Sequence, residues 1–203
     1  MTSSRAAPGS GVVCAILAAG ASRRLGQPKQ LLGIDGQPLI YRIASVALAS
    51  RADAVAVMLG AQAEPIAGAL GSLPLLEIRL VPDWAEGLSA SVRTAARWAQ
   101  RRRALALLLA VGDQVALTSA CLDALIGASD GGRRLVASTY DGVRGVPAVI
   151  PSAHFPALRR LTGDVGARAL LRVAGPEIAE VPWAAGAQDI DVPTDLPGQR
   201  RAT

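Results

Sequence analysis

The sequence predicts an α/β fold, a single three-layer α/β/α domain with a mostly parallel, doubly wound sheet. Short apolar runs alternate with amphipathic segments of helical spacing, which is typical of βαβ units whose sheet is covered on both faces. The 203 residues are 51% hydrophobic, enough for a substantial core. No linker, repeat or low-complexity block divides the chain. We therefore expect one domain over residues 12–197, with flexible ends at 1–11 and 198–203.

Four apolar runs in the first half predict strands, and three amphipathic segments between them predict helices. The run ALALLLAV is nearly continuous in apolar residues, as expected for a central strand buried on both faces. A helix is the competing interpretation of this run, because alanine and leucine favour helices. The predicted strands are 12–17, 54–59, 76–81 and 104–111, and the predicted helices are 38–50, 63–72 and 88–100.

The second half of the chain is less regular. A helix over 118–129 is expected to be capped by Thr118 or Ser119. The segment YDGVRG predicts a turn between two strands. The predicted strands are 133–139, 147–150 and 177–182, and the predicted helices lie near 153–161 and 164–173.

The composition narrows the possible functions. The formal net charge of +5 is compatible with a nucleic-acid partner or with a small anionic substrate. Aromatic residues make up only 3%, so few side chains are present on which single-stranded bases would stack, and we expect no nucleic-acid partner. The longest basic run, Arg101–Arg103, ends a predicted helix and is expected to stay solvated there.

Histidine and cysteine are rare in this chain. The single histidine, His154, argues against a histidine-based metal site or a Ser-His-Asp triad, and we expect it on the surface or at a helix start. Cys14 and Cys121 lie in apolar contexts and are expected to be reduced and buried, as in a cytoplasmic protein.

No uncharged apolar run reaches the length that crosses a bilayer, so we expect no membrane partner.

The segment LAAGASRRLGQPKQLL, residues 17–32, follows the first predicted strand. Ligands of open parallel sheets bind beyond the carboxyl ends of the strands, where this loop is expected. Its small residues let a ligand approach the backbone, and the N–H groups of such a turn bind anions. Ser22, Arg24 and Lys29 add donors and charge. Neither GxxxxGK[ST] nor GxGxxG is present, so a glycine turn with solvated basic residues is the alternative.

The same segment resembles the LAAGxSxRxGxPKxLL signature of the MobA-like nucleotidyltransferases, in particular the molybdenum cofactor cytidylyltransferases. Further motifs of that family are matched in the same order over about residues 12–196. The resemblance implies an N-terminal Rossmann-like nucleotide-binding half, and transfer of a nucleoside monophosphate from an NTP to a phosphate-bearing acceptor with release of pyrophosphate. The further matching segments are VPDWAEGLSASVRTA, LLAVGDQVALT, GVRGVPAVIPSAHFPALRRLTGDVGARALL and DIDVPTDL.

The resemblance also implies which residues bind the nucleotide. Arg24 and Lys29 are expected to contact the triphosphate, and Lys29 to stabilise the α-phosphate in the transition state. Ser89 is read either as part of the segment near the nucleobase or as the cap of the helix that follows. The implied catalytic residues are Lys29, Arg24 and Asp113. The implied nucleotide-binding residues are Leu17, Ala18, Ala19, Gly20, Ser22, Arg24, Lys29, Gly87, Leu88, Ser91 and Asp113.

Carboxylates of two motifs are expected to hold Mg²⁺. Asp113 follows a predicted buried strand, and Mg²⁺ prefers one or two carboxylates together with substrate phosphates and water. The resemblance implies that Asp113 is one ligand and Asp191 the second, with Asp189 as the other choice. The alternative for Asp113 is a helix-cap or turn aspartate, and the alternative for Asp189 and Asp191 is a turn.

The resemblance places the acceptor near Arg168, Asp164 and Pro147, and also near Arg144. An aspartate-capped helix with a solvated arginine has the same appearance in the sequence, so both interpretations stay open. The family commonly has proline where this chain has Val115. Proline stiffens the turn at this point, so valine is expected to keep the fold while holding the preceding aspartate less firmly.

Within the segment 17–32, the sequence patterns LAAG and xPK resemble those of the cytidylyl-transferring branch, which implies CTP as the nucleotide. The implied acceptor is a phosphorylated pterin, the molybdenum cofactor, and a molybdenum hydroxylase is the implied recipient of the product. Three alternatives stay open: guanylyl transfer, nucleotidyl transfer to another phosphorylated acceptor, and a protein that binds and delivers the finished cofactor without chemistry.

Overall fold

Seven strands form the central sheet of the structure, a computed structural model that describes residues 11–22, 27–71, 73–173, 175 and 177–187. Along the chain, β1 spans Val12–Ala18, and a small hairpin follows with β2 at Gly33–Ile34 and β3 at Gln37–Pro38. The rest of the first half alternates helix and strand, as predicted. It comprises α1 Leu39–Leu48, β4 Val55–Leu59, α2 Ala63–Leu70, β5 Leu76–Leu80, α3 Leu88–Arg101 and β6 Ala106–Val111.

The second half adds three strands to one side of the sheet. Its elements are α4 Ser119–Ala128, β7 Val136–Tyr140, β8 Val143–Pro151, α5 Phe155–Leu158, α6 Arg168–Val173 and β9 Ala179–Pro182. Single 3₁₀ turns lie at Lys29–Leu31, Trp84–Glu86, Ser152–His154 and Ala184–Ala187. No helix in the described ranges has both the length and the apolar character that crossing a bilayer requires.

The strand order is β5-β4-β1-β6-β8-β7-β9, and every pairing is parallel except the two that β8 makes with β6 and β7. The order reverses between β1 and β6, which are neighbours in the sheet. Because β6 and β7 both run opposite to β8, they run in the same direction as each other. The carboxyl ends of β1, β6 and β7 therefore meet at one edge, where ligands of such sheets bind.

Each face of the sheet is covered by its own layer of helices. Alternate residues of β1 point to opposite faces, so Cys14 packs in one core cluster and Ala15 in the other. The first cluster includes residues of α1, α2 and α4, and the second is built around α3, α5 and α6. Trp98 of α3 is almost fully buried in the second cluster. This arrangement confirms the predicted three-layer, doubly wound α/β fold.

Two helices differ from the sequence prediction. The helix expected near 153–161 is a 3₁₀ turn followed by the single turn Phe155–Leu158. The helix expected over 164–173 begins only at Arg168, because Gly163 has a φ of +64° and the following residues form a turn. Asp164 therefore does not cap this helix. Of the two candidate caps of α4, Thr118 is the one used, and its hydroxyl accepts the Cys121 N–H at 3.2 Å.

The cysteines are reduced thiols, and only one lies deep in the core. Cys14 is fully buried, and burial raises the pKa of its thiol to about 12. Cys121 is half-buried, so the expectation of full burial was wrong for it, although partial burial still raises its pKa to about 11. Gly11, at the end of the expected flexible segment, accepts the Leu105 N–H through its carbonyl. The other expected loose residues and the segment DIDVPTDL lie outside the described ranges.

Candidate active site

A cleft of about 640 Å³ opens beyond the carboxyl ends of β1 and β6, at the point where the strand order reverses. Small residues of the loop after β1 form one wall, and the start of α3 forms the opposite wall. Arg24, which the sequence also predicts here, lies outside the described residues. The predicted nucleotide-binding residues that line the cleft are Leu17, Ala19, Gly20, Ser22, Lys29, Gly87, Leu88, Ser91 and Asp113.

Lys29 and Asp113 come together in this cleft from distant parts of the sequence. The Lys29 Nζ lies 3.6 Å from the Asp113 Oδ2, with the side chains 14% and 31% exposed. Asp113 directly follows the Gly112 turn after β6, and Lys29 begins a 3₁₀ turn. The two charges are in ionic contact rather than separated by the width of a phosphate group. A triphosphate held between them therefore requires the pair to part.

The loop after β1 is tied to its surroundings by backbone and hydroxyl hydrogen bonds. The Lys29 N–H donates to the Ser22 Oγ at 3.1 Å, which brings the two ends of the loop together. The Gly112 N–H donates to the Leu17 carbonyl at 2.9 Å, so the loops after β1 and β6 are directly connected. Ala18 is buried beneath the cleft rather than lining it. These contacts fix the positions from which Lys29 and Asp113 extend.

Two glutamines that the sequence analysis did not select lie next to the charged pair. Gln30 lines the cleft, is 6% exposed, and donates to the Ala18 carbonyl at 3.4 Å. Gln114 is 2% exposed and donates through Nε2 to the Val146 carbonyl at 3.0 Å. Each glutamine directly follows Lys29 or Asp113 in the sequence, and this adjacency could have indicated that both lie near the site. Trp84 packs against Gly60 and also lines the cleft.

The wall at the start of α3 is built jointly with the segment 161–168. Gly87 has a φ of +124° and its Cα approaches Gly163 so closely that an added Cβ would lie 2.7 Å from the Gly163 carbonyl oxygen. The Ser89 N–H donates to that carbonyl at 3.2 Å, and the Leu88 N–H donates to the Asp164 Oδ1 at 3.3 Å. Ser89 lies inside the helix, so the alternative interpretation, in which it caps α3, was wrong. The carboxylate of Asp164, in a distant segment, accepts the Leu88 N–H at the start of α3 instead.

An ion pair between Glu86 and Arg93 stabilises this wall of the cleft. Arg93 Nη1 donates to Glu86 Oε1 at 2.7 Å and to the Leu161 carbonyl at 2.9 Å, while Nη2 pairs with Glu86 Oε2. The Gly163 N–H also donates to Glu86 Oε1, at 3.2 Å. The hydrogen bond from Arg93, followed by that from Gly163, lowers the pKa of Glu86 to about 2. The ionised carboxylate therefore holds α3 and the segment 161–163 together.

A second cavity of about 720 Å³ lies at the same edge of the sheet, beyond the end of β7. Its lining includes Tyr140, Arg144, Arg168 and Glu180, and Arg144 Nε donates to Glu180 Oε1 at 2.7 Å. Since β7 is two strands from β6, the two strand ends are roughly 10 Å apart. Three guanidinium groups and two carboxylates line the cavity, so its net positive charge is suited to an anionic ligand.

The three predicted acceptor residues do not share one cavity. Arg168 lines the second cavity, whereas Asp164 lines the first cleft. Pro147 is buried within β8 and lines neither of them. Arg144 does line the second cavity, beside Arg168. The acceptor prediction therefore divides between two neighbouring sites.

The carboxylate of Asp113 is chemically suited to Mg²⁺. It lines the cleft in partial contact with solvent, and Mg²⁺ is commonly held by one or two carboxylates together with phosphate oxygens and water. Within the described ranges no cluster of three or more His, Cys, Asp or Glu side chains could hold a metal by itself. Asp189 and Asp191, the predicted sources of a second carboxylate, lie outside those ranges. The site thus fits an ion that a nucleotide phosphate helps to bind.

Comparison with known proteins agrees with this geometry. The chain is 30% identical over 195 residues to purine catabolism protein PucB of Bacillus subtilis (strain 168), covering 92% of this chain and 94% of that protein. It is 31% identical over 166 residues to nicotine blue oxidoreductase of Paenarthrobacter nicotinovorans, covering 77% and 79% of the two chains.

A solved structure shares the fold over nearly the whole chain. It is the homologue of Mycobacterium tuberculosis Rv0371c from Mycobacterium sp. strain JC1, with a TM-score of 0.79, 30% identity, and coverage of 91% of this chain and 92% of that one. The family model described as MobA-like NTP transferase domain matches residues 14–181, which include both walls of the cleft and the charged pair within it. This chain belongs to the MobA-like NTP transferase family.

Proposed function

We propose that this protein transfers CMP from CTP to the phosphate of the molybdenum cofactor, in the cytoplasm and with Mg²⁺, and releases pyrophosphate. The family assignment supports nucleotidyl transfer as the reaction class. The choice of CTP and of a pterin acceptor rests on the LAAG and xPK forms of the loop after β1.

The observation that carries the proposal is the approach of the Lys29 Nζ to the Asp113 Oδ2 inside a cleft at the reversal of strand order. A phosphoryl-transfer site needs positive charge where negative charge develops on the phosphate oxygens, and it needs a carboxylate for a metal ion. Here both groups belong to the same cleft. Its volume of about 640 Å³ falls in the range typical of small-molecule sites.

In the proposed reaction, a phosphate oxygen of the acceptor attacks the α-phosphorus of CTP. The bond from that phosphorus to the bridging oxygen of the β-phosphate breaks in line, and pyrophosphate leaves with the electron pair. Lys29 moves from Asp113 onto the α-phosphate, where its compact ammonium group neutralises the developing charge. When bound by Asp113 and the phosphates, Mg²⁺ would supply further charge neutralisation.

The remaining cleft residues have roles that follow from their size. Leu17, Ala19 and Gly20 line the cleft, and we assign this wall to the cytosine and ribose. Leu88 and Ser91, at the start of α3, face them across the cleft and are assigned to the nucleobase as well. These assignments agree with the small side chains of the loop and with the open space between the two walls.

The acceptor is assigned to the second cavity, with Arg168 and Arg144 toward an anionic group at the end away from the reacting phosphate. Support comes from the guanidinium groups in this cavity and from its position at the same sheet edge as Asp113. A ligand that spans the short distance between the two strand ends brings its phosphate to the nucleotide. Asp164, in the wall between α3 and the segment 161–168, is then a nucleotide-side residue.

Other reactions remain alternatives to be separated by experiment. They are guanylyl transfer, transfer to another phosphorylated acceptor, and non-catalytic binding and delivery of the cofactor. A delivery protein has no need of a lysine and a carboxylate positioned together at a triphosphate, and this contact therefore favours an enzyme.

The test is a turnover screen of CTP, GTP, ATP and UTP with purified molybdenum cofactor and Mg²⁺, followed by release of pyrophosphate and by mass spectrometry of the dinucleotide. We expect CTP to be used at least about tenfold more efficiently than the other three. Preference for GTP would replace CTP in the proposal. Absence of pyrophosphate release with every nucleotide, together with tight cofactor binding, would support the delivery protein instead.

A further inference from the structure

A chain of hydrogen bonds connects the residue after Asp113 to the second cavity. Gln114 Nε2 donates to the Val146 carbonyl at 3.0 Å, and the Tyr140 hydroxyl donates to the same carbonyl at 3.3 Å. Arg168 Nη2 in turn donates to the Tyr140 hydroxyl oxygen at 3.0 Å. The phenol proton is therefore directed to Val146, and an oxygen lone pair is directed to Arg168.

The ring of Tyr140 is held on several sides, so this hydroxyl has little freedom to move. An added Cβ at Gly145 would lie 2.2 Å from the Tyr140 Oη, and one at Gly186 would lie 2.6 Å from its ring. Trp183 packs edge-on to the ring, with the centroids 6.2 Å apart. Tyr140 is only 8% exposed. Such packing leaves one position for the phenol, and therefore one position for the Arg168 guanidinium that donates to it.

Arg168 is by contrast an exposed side chain at the start of α6. Its guanidinium carbon lies 5.8 Å from the centre of the Tyr140 ring, within the range of a cation–π contact. A long exposed arginine samples many rotamers, and binding an anion with it costs conformational entropy. Contact with a fixed phenol removes part of that cost before any ligand binds. A guanidinium has five N–H donors, so the bond to Tyr140 leaves donors for an oxyanion.

We propose that Tyr140 is a positioning residue, which orients the Arg168 guanidinium into the second cavity and so sets the affinity of that cavity for an anionic group of the acceptor. The inference rests on the proposed function in assigning the acceptor to this cavity. It goes further in naming a residue outside every motif used for that assignment. Gln114 contributes by fixing the Val146 carbonyl, which connects the acceptor cavity to the loop that carries Asp113.

The test is Tyr140→Phe, which keeps the ring and removes only the hydroxyl. The chain has a second tyrosine, Tyr41, on α1 and outside both cavities, and Tyr41→Phe is the matched control. We expect Tyr140→Phe to raise KM for the molybdenum cofactor roughly tenfold, with KM for CTP and kcat changed less than about threefold. Tyr41→Phe should leave all three constants near those of the wild type.

A merely structural role for the hydroxyl would give a different pattern. Both KM values and the melting temperature would then worsen together, and that result would overturn the proposal. Unchanged acceptor KM in Tyr140→Phe would also overturn it.

A second measurement separates this inference from the proposed function. Binding of inorganic phosphate is followed by ³¹P line broadening in the wild type, Tyr140→Phe and Arg168→Gln. We expect both substitutions to weaken the binding of phosphate at the second cavity to the same extent. If the wild type fails to transfer CMP to the cofactor, the proposed function fails, while this phosphate comparison still decides the role of Tyr140. Equal phosphate binding in Tyr140→Phe and the wild type would reject that role.

Discussion

The Lys29 Nζ lies 3.6 Å from the Asp113 Oδ2, although 84 positions separate the two residues in the sequence (113 − 29 = 84). The loop after β1 provides the cation and the loop after β6 provides the carboxylate, because these neighbouring strands end at the same edge. Lys29 is also the only lysine in the chain, against twenty arginines. An ammonium group presents a compact, rotatable charge, in contrast to the planar fork of a guanidinium.

Lys29→Ala is the first prediction. Removing the ammonium group removes charge stabilisation that is realised mainly in the transition state, so we expect kcat for CMP transfer to fall by about 10²–10³-fold. The pair with Asp113 is partly exposed and contributes at most about 1 kcal/mol to folding, so the melting temperature should change little. Steady-state assays and thermal melts measure the two effects.

Lys29→Arg is the matched variant, since it keeps the positive charge and changes its shape. We expect it to recover nucleotide binding more than kcat, because the planar fork cannot follow the phosphate as closely. If the alanine variant turned over at the wild-type rate, Lys29 would have no catalytic role.

The uniqueness of Lys29 allows a test that needs no acceptor. An amine-selective reagent can modify only Lys29 and the amino terminus, so peptide mass spectrometry measures the reactivity of each amine separately. We expect CTP with Mg²⁺ to slow modification of Lys29 at least about fivefold, since the triphosphate covers the ammonium group. The amino terminus provides the internal control, and equal slowing of both amines would argue against specific protection.

Asp113→Asn tests the metal ligand. The amide keeps the size of the side chain but loses its negative charge, so Mg²⁺ should bind much more weakly. We expect CMP transfer at ordinary Mg²⁺ concentrations to fall by about a hundredfold or more, with partial recovery at high Mg²⁺. Titration of activity with Mg²⁺ measures the effect. A wild-type titration curve would mean that the ion is held by other residues.

Much of the fold could be predicted from local sequence, since apolar runs of strand length alternate with helical segments. Within ALALLLAV, Ala106–Val111 is a strand rather than a helix, because it pairs with β1 and β8 and all but its last residue is buried. The late start of α6 was missed because capping preference marks Asp164 as a cap, whereas a tertiary contact takes its carboxylate to the Leu88 N–H. Local preference does not reveal that a partner 76 residues away competes for the same group.

The candidate site could be predicted where motifs carry charge, and it was missed where side chains act through packing. Lys29 and Asp113 were selected because their segments resemble the family motifs, and both line the cleft. Tyr140 does not stand out, because its position depends on the absence of side chains at Gly145 and Gly186. Such three-dimensional complementarity has no local sequence pattern.

Glu86→Gln is expected to change how stability depends on pH. The pKa of Glu86 is lowered from its ordinary value of 4.5 to about 2, chiefly by the hydrogen bond from Arg93. A carboxyl whose pKa is lowered by folding stabilises the protein above its unfolded pKa, and this contribution is lost as pH falls toward the folded pKa. The wild type should therefore exceed Glu86→Gln in melting temperature above about pH 4.5, and the difference should shrink toward pH 2.

Melts at several pH values across that window measure the difference directly. Glu64→Gln, in the exposed first turn of α2, controls for the general loss of one negative charge. A difference between the wild type and Glu86→Gln that stayed constant from pH 6 to pH 2 would contradict an ionised carboxylate as the source of this contact.

Gly87→Ala tests the close approach between the two segments that form one wall of the cleft. At a φ of +124° an alanine is strained, and its Cβ would lie 2.7 Å from the Gly163 carbonyl oxygen, which is backbone and cannot rotate away. We expect a loss of about 1–3 kcal/mol in the free energy of unfolding, together with weaker CTP binding, since the wall must shift.

Gly68→Ala is the matched control. Gly68 is exposed on α2 and an added Cβ there meets nothing within 4 Å, so alanine should stabilise the protein by about 1 kcal/mol. Urea denaturation of both variants, with CTP binding by calorimetry, separates the effects. Wild-type CTP affinity in a destabilised Gly87→Ala would show that this wall does not contact the nucleotide.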